Sequence, residues 1–359
     1  MGTSHTPSLR LISWNLTLRC PLRCPHCYSD SGEHEVSHPL STTEAFGVLD
    51  QIRALGSPIV ILSGGEPMMR EDIFEIASYG TSLGLTMAMG TSGFLFDENT
   101  PSLIKGSGIK SIAISIDSAD PEIHDTFRGC PGAFDKAINA IRSCIREGMQ
   151  VQINMTVITP DSAILDKVVT LGKELGVRNY QVFIPVPTGR SIQENYQRYG
   201  AYEELLKHML RTYTNSNSGV SLRPTCIPQF RRVAEEMGIT DPRWGRGCIA
   251  GIFYCRIYAN GDVTPCPYLP VIAGNIRETP LLNIWENSEV FAALRNYDRL
   301  LGTCGICQYK SICGGCRARA FSRYGNMTQS CGSLVEPHNI DGEICAEDPL
   351  CPYVPEGET

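Results

Sequence analysis

Short apolar runs alternate with helical patterns along the first two thirds of the chain. Six of these runs are rich in β-branched residues, which predicts strands at 11–17, 59–65, 86–93, 111–117, 151–158 and 180–187. Between them, Ser41 and Glu44 match a capping box, and a later segment repeats apolar residues on one helical face at Phe134, Ala137, Ile138, Ile141 and Ile145. Six such β–α units predict an α/β fold with a parallel sheet, open or curved into a partial (β/α)6 TIM-like barrel.

Composition and charge exclude several classes of protein. The 359 residues carry a net charge of −7 and are 42% apolar, as is typical of soluble globular proteins. The acidic balance argues against a surface for nucleic acid or anionic membrane. Neither a membrane-spanning apolar run nor a secretory signal is visible, so we expect a cytoplasmic protein without a membrane span, with residues 1–10 as a short leader.

The 16 cysteines are the unusual feature of the composition. In a chain without an export signal, many closely spaced cysteines more often bind metal than form disulfides. Three lie near the start, two in the middle (Cys130 and Cys144), and eleven from Cys226 onward. This asymmetry predicts a barrel at 11–225, a bridging segment at 226–247 and a smaller cysteine-rich domain at 248–359.

Cys20, Cys24 and Cys27 stand just after the first predicted strand, where parallel α/β folds place their chemistry. Structural zinc needs a fourth ligand, and no fourth cysteine is local. A redox Cys-x-x-Cys pair would leave Cys20 unexplained. Three thiolates on a four-iron cluster leave one iron open to a small molecule. The spacing favours the cluster and keeps zinc as the alternative.

This cysteine spacing, followed by Tyr28, resembles the signature of the radical S-adenosylmethionine (radical SAM) enzymes. Further motifs follow in that family's order at strand ends: SGGEP (63–67), GTSG (90–93, where the family more often has Asn in place of Ser92) and ISIDS (114–118). A glycine turn or a surface arginine would be the plainer interpretation of some of these residues. The resemblance implies a [4Fe–4S] cluster on the three cysteines and S-adenosylmethionine contacts from Tyr28, Gly64, Gly65, Glu66, Ser92, Ser115, Asp117 and Arg128.

The C-terminal cysteines resemble the SPASM extension, which holds auxiliary iron–sulfur clusters. By themselves they fit one or two metal centres, zinc or iron–sulfur, and a purely structural metal is the alternative. The resemblance implies one auxiliary cluster on Cys248, Cys255, Cys266 and Cys316, and another on Cys304, Cys307, Cys313 and a late cysteine. The ending AEDPLCPY favours Cys351 over Cys331 and Cys345. The last gap, from Cys313 to Cys316, is one residue shorter than the family's, so one or two auxiliary clusters are expected.

Longer segments, among them VPTGR (186–190), GDVTPCPYL (261–269) and CGGCRARA (313–320), resemble the heme-biosynthesis branch of the family. This implies oxidative decarboxylation of two propionates of iron-coproporphyrin III to vinyl groups, giving heme b, through a 5′-deoxyadenosyl radical. An auxiliary cluster would accept the surplus electron. The alternatives are a didecarboxysiroheme deacetylase, a heme d1 maturation enzyme, a ribosomal-peptide maturase, and a non-enzymatic iron–sulfur scaffold or electron-transfer protein.

An anionic tetrapyrrole substrate needs basic partners, and arginine offers bidentate contacts. The candidates are Arg190, Arg223, Arg317 and Arg319, each of which could instead be an ordinary structural charge. Cys226, His26, His34, His124 and His208 could ligate substrate iron, although structural roles are the simpler expectation for the histidines. The resemblance also implies a reduced flavodoxin- or ferredoxin-like electron donor.

Overall fold

The computed structural model describes residues 6–191, 199–214, 218–241, 244–325, 334–336 and 339–355. In this part of the chain ten strands form one sheet, in the order β10-β9-β8-β1-β2-β3-β4-β5-β6-β7. The strands are β1 Leu11–Asn15, β2 Ile59–Ser63, β3 Thr86–Thr91, β4 Ser111–Ser115, β5 Gln150–Thr156, β6 Asn179–Phe183, β7 Ser221–Thr225, β8 Tyr254–Ile257, β9 Asp262–Thr264 and β10 Gly274–Asn275. All pairs from β8 through β1 to β7 are parallel, whereas β9 and β10 are antiparallel additions. The sheet is therefore open, of the partial-barrel type.

Helices connect the strands and enclose the apolar core against the sheet. They are α1 Thr42–Ala54, α2 Ile73–Ser82, α3 Thr100–Gly106, α4 Pro121–Arg128, α5 Ala133–Arg146, α6 Ser162–Glu174, α7 Tyr199–Tyr213, α8 Phe230–Glu236, α9 Leu281–Asn287, α10 Glu289–Arg295, α11 Gly302–Ile306, α12 Arg317–Tyr324 and α13 Ile340–Glu343. The predicted capping box opens α1, since the Ser41 backbone N–H donates to the Glu44 carboxylate at 2.8 Å and Glu44 N–H donates to the Ser41 hydroxyl at 3.3 Å. None of the helices described here has both the length and the apolar character that a membrane span needs.

Alternation along the strands separates an apolar outer face from a polar inner face. Ile12 in β1 and its partner Cys255 in β8 are both buried in the core on the outer face. The next pair, Ser13 and Arg256, consequently lies on the inner face. The strand register places the following polar side chains on the same inner face: Ser13, Asn15, Ser63, Ser115, Gln152, Asn154, Gln181, Arg223 and Arg256.

All six strands expected from the sequence are present, but each ends before its predicted end, because the last residues already belong to the loops at the carboxyl edge. Two further parallel strands, β7 and β8, were not predicted. β7 contains Pro224, which suits its position at one end of the sheet, where a missing N–H donor costs no ladder bond. β8 pairs with β1, so the sheet continues across the predicted boundary at 226–247.

Candidate cofactor and substrate site

The three-cysteine loop follows β1 at the carboxyl edge of the sheet. Its backbone folds back on itself: Cys20 N–H donates to Gly32 O at 2.7 Å, and Cys27 N–H donates to Cys24 O at 3.2 Å. The Ser31 N–H points at the Cys27 sulfur at 3.4 Å. Backbone donors to sulfur are typical of thiolates that bind iron, because they offset the negative charge.

Arg190, at the carboxyl edge after β6, holds this loop in place. Its Nε donates to Cys24 O at 2.8 Å, and its Nη1 donates to Asp30 Oδ1 and to Ser31 O, both at 2.7 Å. The preceding Gly189 has φ 58° and packs so closely that an added Cβ would lie 2.3 Å from Cys27 O. Arg190 therefore positions the cysteine loop through its Nε and Nη1 donors.

Burial disfavours the ionised form of two thiols of this loop, those of Cys20 and Cys24. Burial raises the pKa of Cys20 to about 12. It also raises the pKa of Cys24, although the nearby Arg128 opposes the rise. Such thiols keep their protons at neutral pH until a metal displaces them. Three thiols on one short loop, with Cys24 buried and Cys20 and Cys27 partly buried, fit an iron–sulfur cluster with one iron left without a protein ligand.

The SGGEP turn packs directly against the same loop. Added Cβ atoms at Gly64 and Gly65 would lie 2.5 Å from Thr17 O and 2.4 Å from Arg19 O, so only glycine allows this approach. The Glu66 side chain is fully buried. It accepts hydrogen bonds from the Thr91 hydroxyl at 2.6 Å and the Ser92 N–H at 2.9 Å, and also from the Ser92 hydroxyl. The structure thus brings Glu66 and Ser92 together beside Cys20.

Asp117 and Arg128 form a buried ion pair just beyond β4. Arg128 Nε donates to Asp117 Oδ2 at 2.6 Å, while Asp117 Oδ1 accepts from the Thr156 N–H at 2.9 Å. Burial would raise the pKa of Asp117, but the positive charge of Arg128 holds it below its ordinary value. The positive charge of Arg128 also acts on the Cys24 thiol, whose pKa it lowers against the effect of burial. The pair therefore fixes a positive charge beside the cysteine loop.

Tyr28 and Ser115 face the interior of the partial barrel. The Tyr28 hydroxyl donates to Asn15 Oδ1 at 3.5 Å, and its ring lies 5.4 Å from the ring of Tyr268. Tyr28 directly follows Cys27, and Tyr268 comes two residues after Cys266. Ser115 ends β4 on the inner face, beside Asn154. The contact of the two tyrosines therefore connects the N-terminal and C-terminal cysteine regions.

The structure brings one set of C-terminal cysteines together as the sequence implied. Cys304, Cys307, Cys313 and Cys351 line a single cavity, together with Arg232. Backbone N–H groups point at three of these sulfurs at 3.4 to 3.5 Å, those of Cys304, Cys307 and Cys313. Burial raises the pKa of both Cys313 and Cys351 to about 12. This donor set fits a second cluster.

The other C-terminal set differs from the expected one. Cys226 lies beside Cys248, Cys266 and Cys316. Burial raises the pKa of its thiol, and negative charge on these three neighbouring thiolates would raise it further. Cys255, by contrast, lies on the outer face of β8, fully buried, with Arg295 as its charged neighbour. The two-residue period of the strand turns it away from the other thiols. The geometry therefore puts Cys226, and not Cys255, with this group.

Cys226 occupies this position through an unusual backbone conformation. It follows the last residue of β7 and has φ 59°, a left-handed conformation that is costly for a residue with a side chain. Arg319 donates a hydrogen bond to its carbonyl oxygen. The structure thus places Cys226 among the C-terminal thiols, and the hypothesis that it ligates substrate iron stays a prediction.

Asp348 joins the two C-terminal groups. It accepts both bonds of a fork from Arg319, at 3.0 Å each, as well as the Cys316 N–H at 2.7 Å and the Gln229 amide at 2.7 Å. Burial would raise the pKa of Asp348, yet Arg319 holds it below its ordinary value. Both side chains of the pair are fully buried. We call Cys226, Cys248, Cys266 and Cys316 the first C-terminal group, and Cys304, Cys307, Cys313 and Cys351 the second. Asp348 therefore fixes Cys316 of the first group relative to the segment that carries Cys351 of the second.

The other candidate residues lie in structural roles or outside the described part of the chain. Cys345 is buried next to Arg317 and does not line the cavity of the second cysteine set, and Cys331 falls outside the described residues. Among the described residues, no three His, Cys, Asp or Glu side chains converge on a site for a single metal ion. The thiols around an iron–sulfur cluster stand farther apart than those around one zinc ion.

Two candidate arginines and three candidate histidines have partners within the protein. Arg317 donates to Ile344 O and Ala346 O, and Arg319 pairs with Asp348. His26 stacks on Phe127 at 3.9 Å, and burial lowers its pKa to about 3. His208 pairs with Asp166 at 2.8 Å, His124 is buried beside Asp117, and His34 is exposed. Of the four arginines proposed as substrate contacts, Arg223 and Arg317 have no ion pair within the described residues, and of these two it is Arg223 that faces the barrel interior.

Sequence reasoning did not find Asn15, Arg256 or Asp348. The first two lie on the inner face of neighbouring strands, and Arg256 Nε donates to Asn15 Oδ1 at 3.1 Å. A charged residue at an alternate position of the strand segment YCRIY (254–258) was the available signal, since a parallel strand seldom places a charge in its middle. Asp348 carried no local signal, because its partners are distant in sequence.

Comparison with known proteins identifies the family. Residues 14–171 match the model of the radical SAM superfamily, and residues 248–317 match that of SPASM, an iron–sulfur cluster-binding domain. The AdoMet-dependent heme synthase of Methanosarcina barkeri is 38% identical over 361 residues, covering 98% of both chains. The chain belongs to the radical SAM superfamily. Within it, the resemblance to the heme-biosynthesis branch that the sequence motifs carried is confirmed.

One further relative and one solved structure extend the comparison. The Fe-coproporphyrin III synthase of Methanosarcina barkeri is 28% identical, covering 88% of this chain and 85% of its own. The crystal structure of Streptococcus suis SuiB bound to S-adenosylmethionine matches with a TM-score of 0.73 at 18% identity, covering 96% of this chain and 78% of that one. This likeness confirms the predicted partial-barrel fold. The chain is a radical SAM enzyme with S-adenosylmethionine and iron–sulfur clusters as its cofactors.

Proposed function

We propose that this radical SAM enzyme converts iron-coproporphyrin III to heme b by oxidative decarboxylation of two propionate side chains to vinyl groups. The observation that carries the proposal is the full-length similarity to an AdoMet-dependent heme synthase at 38% identity. The identity to the Fe-coproporphyrin III synthase is only 28%. An inner barrel face with arginine but no acidic side chain on its parallel strands supports an anionic substrate.

The chain's own residues support this chemistry through binding and orientation. Cys20, Cys24 and Cys27 would hold the cluster, and when bound, the cluster and S-adenosylmethionine supply hydrogen-atom abstraction. Glu66 is held by hydrogen bonds from Thr91 and Ser92, so its carboxylate is oriented before a ligand arrives. We propose that it accepts the amino group of S-adenosylmethionine.

The remaining cofactor contacts and ligands are part of the same proposal. Tyr28, Gly64, Gly65, Ser115, Asp117 and Arg128 border the S-adenosylmethionine site, with Asp117 acting by positioning Arg128. The auxiliary ligands are Cys226, Cys248, Cys266 and Cys316 in one group, and Cys304, Cys307, Cys313 and Cys351 in the other.

The overall reaction fixes what the protein must accommodate. Each propionate loses one hydrogen atom from its β-carbon, one carbon dioxide and one electron, and leaves a vinyl group. Two turnovers on one substrate require that the unreacted carboxylates stay bound while the reacting one faces the cysteine loop. The electron donor proposed is a flavodoxin- or ferredoxin-like protein, and dithionite can replace it in the test.

The test is incubation of the anaerobically reconstituted enzyme with iron-coproporphyrin III, S-adenosylmethionine and dithionite. We expect mass spectrometry to show the loss of two carboxyl groups and formation of 5′-deoxyadenosine. The Cys24→Ala variant, incubated identically, is the control and should leave the porphyrin unchanged. Unchanged iron-coproporphyrin III with wild-type enzyme, together with consumption of didecarboxysiroheme, would instead identify the deacetylase reaction.

A further inference from the structure

Arg256 is a fully buried cation without an anionic partner among the described residues. Its Nε donates to Asn15 Oδ1 at 3.1 Å, and its Nη1 donates to the Tyr258 hydroxyl at 2.8 Å and to Pro267 O at 3.0 Å. Its Nη2 is buried and has no hydrogen-bond partner. Buried arginines are normally paired, because an uncompensated charge is costly inside a protein. The guanidinium therefore lacks one acceptor, which calls for a ligand.

Asn15 presents a second unsatisfied donor beside it. Its carbonyl oxygen accepts from both Arg256 and the Tyr28 hydroxyl, at 3.1 and 3.5 Å. These two donors fix the orientation of the amide, and the Asn15 Nδ2 group is left buried without a partner. Two adjacent residues thus each keep a free N–H donor. A group with two acceptor oxygens, such as a carboxylate, would satisfy both.

The position of this pair is inside the barrel, between the two cysteine regions. The Arg256 guanidinium lies 4.8 Å from the centre of the Tyr28 ring, and Tyr28 directly follows Cys27. Its contact with Pro267 O places it next to Cys266. A ligand held here would therefore lie between the cluster loop and the first C-terminal cysteine group.

The surrounding inner face favours an anion. The inward-facing side chains of the parallel strands β1 to β8 include two arginines, Arg223 and Arg256, and no Asp or Glu. The loops at this edge carry the carboxylates of Glu66 and Asp117, engaged by Ser92 and Arg128, and those of Glu35 and Asp30, engaged by the Leu18 N–H and Arg190. The charged side chains that the strands turn inward are therefore all positive, although the chain as a whole is acidic.

We propose that Arg256 and Asn15 bind a carboxylate of the substrate, an anionic tetrapyrrole, and so anchor one propionate while another reacts. This inference rests on the proposed function and adds to it a binding residue for the substrate. Arg223 lies on β7, at the other end of the run of parallel strands from β8, and is available for a second carboxylate. The bound carboxylate would give Arg256 its missing acceptor and compensate its charge.

The test measures binding of iron-coproporphyrin III to the anaerobic holoenzyme by absorbance titration, with the tetramethyl ester of the same porphyrin as the uncharged probe. The variants are Arg256→Gln and Asn15→Asp, and Arg53→Gln, an exposed arginine, is the control. We expect both test variants to bind the free acid about 10- to 100-fold more weakly, as for loss of a charge-assisted hydrogen bond, with little change for the ester. Arg53→Gln should bind both probes as the wild type does.

Asn15→Asp separates a binding role from a purely structural one. It gives Arg256 a carboxylate partner within the protein, so the variant should fold and keep its iron, yet the substrate carboxylate should be repelled. Wild-type affinity for the free acid in both variants would overturn the inference. Unchanged porphyrin binding with weakened S-adenosylmethionine binding would also overturn it, and assign the donors to the methionyl carboxylate. If the wild type itself binds no porphyrin, the proposed function fails first, and this inference fails with it.

Discussion

The two cysteine regions of this enzyme are built in different ways. Cys20, Cys24 and Cys27 come from a single loop after β1, held by the backbone and by Arg190. The C-terminal groups collect thiols from segments as distant as Cys226 and Cys351, joined by the buried pair of Asp348 and Arg319. A site made from one loop can be recognised by its spacing. A site assembled from several elements depends on which side chains the strands and helices turn toward each other.

The largest effect should come from breaking the N-terminal region alone. Cys24→Ala should abolish 5′-deoxyadenosine formation, because one of the three cluster ligands is missing. Since the C-terminal groups share no residue with this loop, the variant should lose only the iron of one cluster. Iron and sulfide analysis together with product chromatography measures both. Cys144→Ala, which removes a buried thiol in α5 far from the loop, is the matched control and should retain its iron. Loss of all iron in Cys24→Ala would show that the two regions are not independent.

The converse change is Asp348→Asn. It leaves Arg319 buried without its counter-charge, and breaking such a pair costs about 3–5 kcal/mol of stability. We expect lower iron content in the C-terminal groups, an N-terminal cluster that still binds S-adenosylmethionine, and a lower denaturant midpoint. Asp341→Asn removes the partner of Arg299 in an exposed pair and should have no measurable effect. Equal behaviour of the two variants would contradict a joining role for Asp348.

A third comparison tests the ligands of the first C-terminal group. Cys226→Ala should lower the iron content and change the EPR spectrum of the reduced enzyme, because this thiol lies with Cys248, Cys266 and Cys316. Cys255→Ala should keep its iron and lose only stability, by about 1 kcal/mol, through a small core cavity. The reverse result would restore the ligand set that the sequence implied.

The smallest effect is expected at Ser92. Ser92→Ala removes one of the hydrogen bonds to Glu66, while the Ser92 N–H and the Thr91 hydroxyl still hold the carboxylate. The lost hydrogen bond contributes about 1 kcal/mol to holding the Glu66 carboxylate in its orientation. Its loss should raise the apparent KM for S-adenosylmethionine a few-fold, with kcat nearly unchanged. Steady-state kinetics measures this split. Ser82→Ala, at the exposed end of α2, should leave both constants unchanged, and a large fall in kcat at Ser92 would mean that Glu66 needs every donor.

Much of the fold could be predicted because its determinants are local. The six β–α units follow from apolar periodicity and capping, as with Ser41 and Glu44 at α1. β7 and β8 were missed because Pro224 and Arg256 interrupt their apolar pattern. The sheet tolerates both, the proline at its end and the arginine on a polar inner face.

The sequence by itself determined the N-terminal cysteine loop, the glycine turn at Gly64 and Gly65 and the family, because short-range spacing carries each of them. Tertiary structure alone decided that Cys226 joins the C-terminal thiols while Cys255 enters the core, and that Arg256 stays buried without an anion. The physical reason is the two-residue period of a strand. One step along β8 exchanges the core for the barrel interior, and only pairing with β1 sets which residue faces which side.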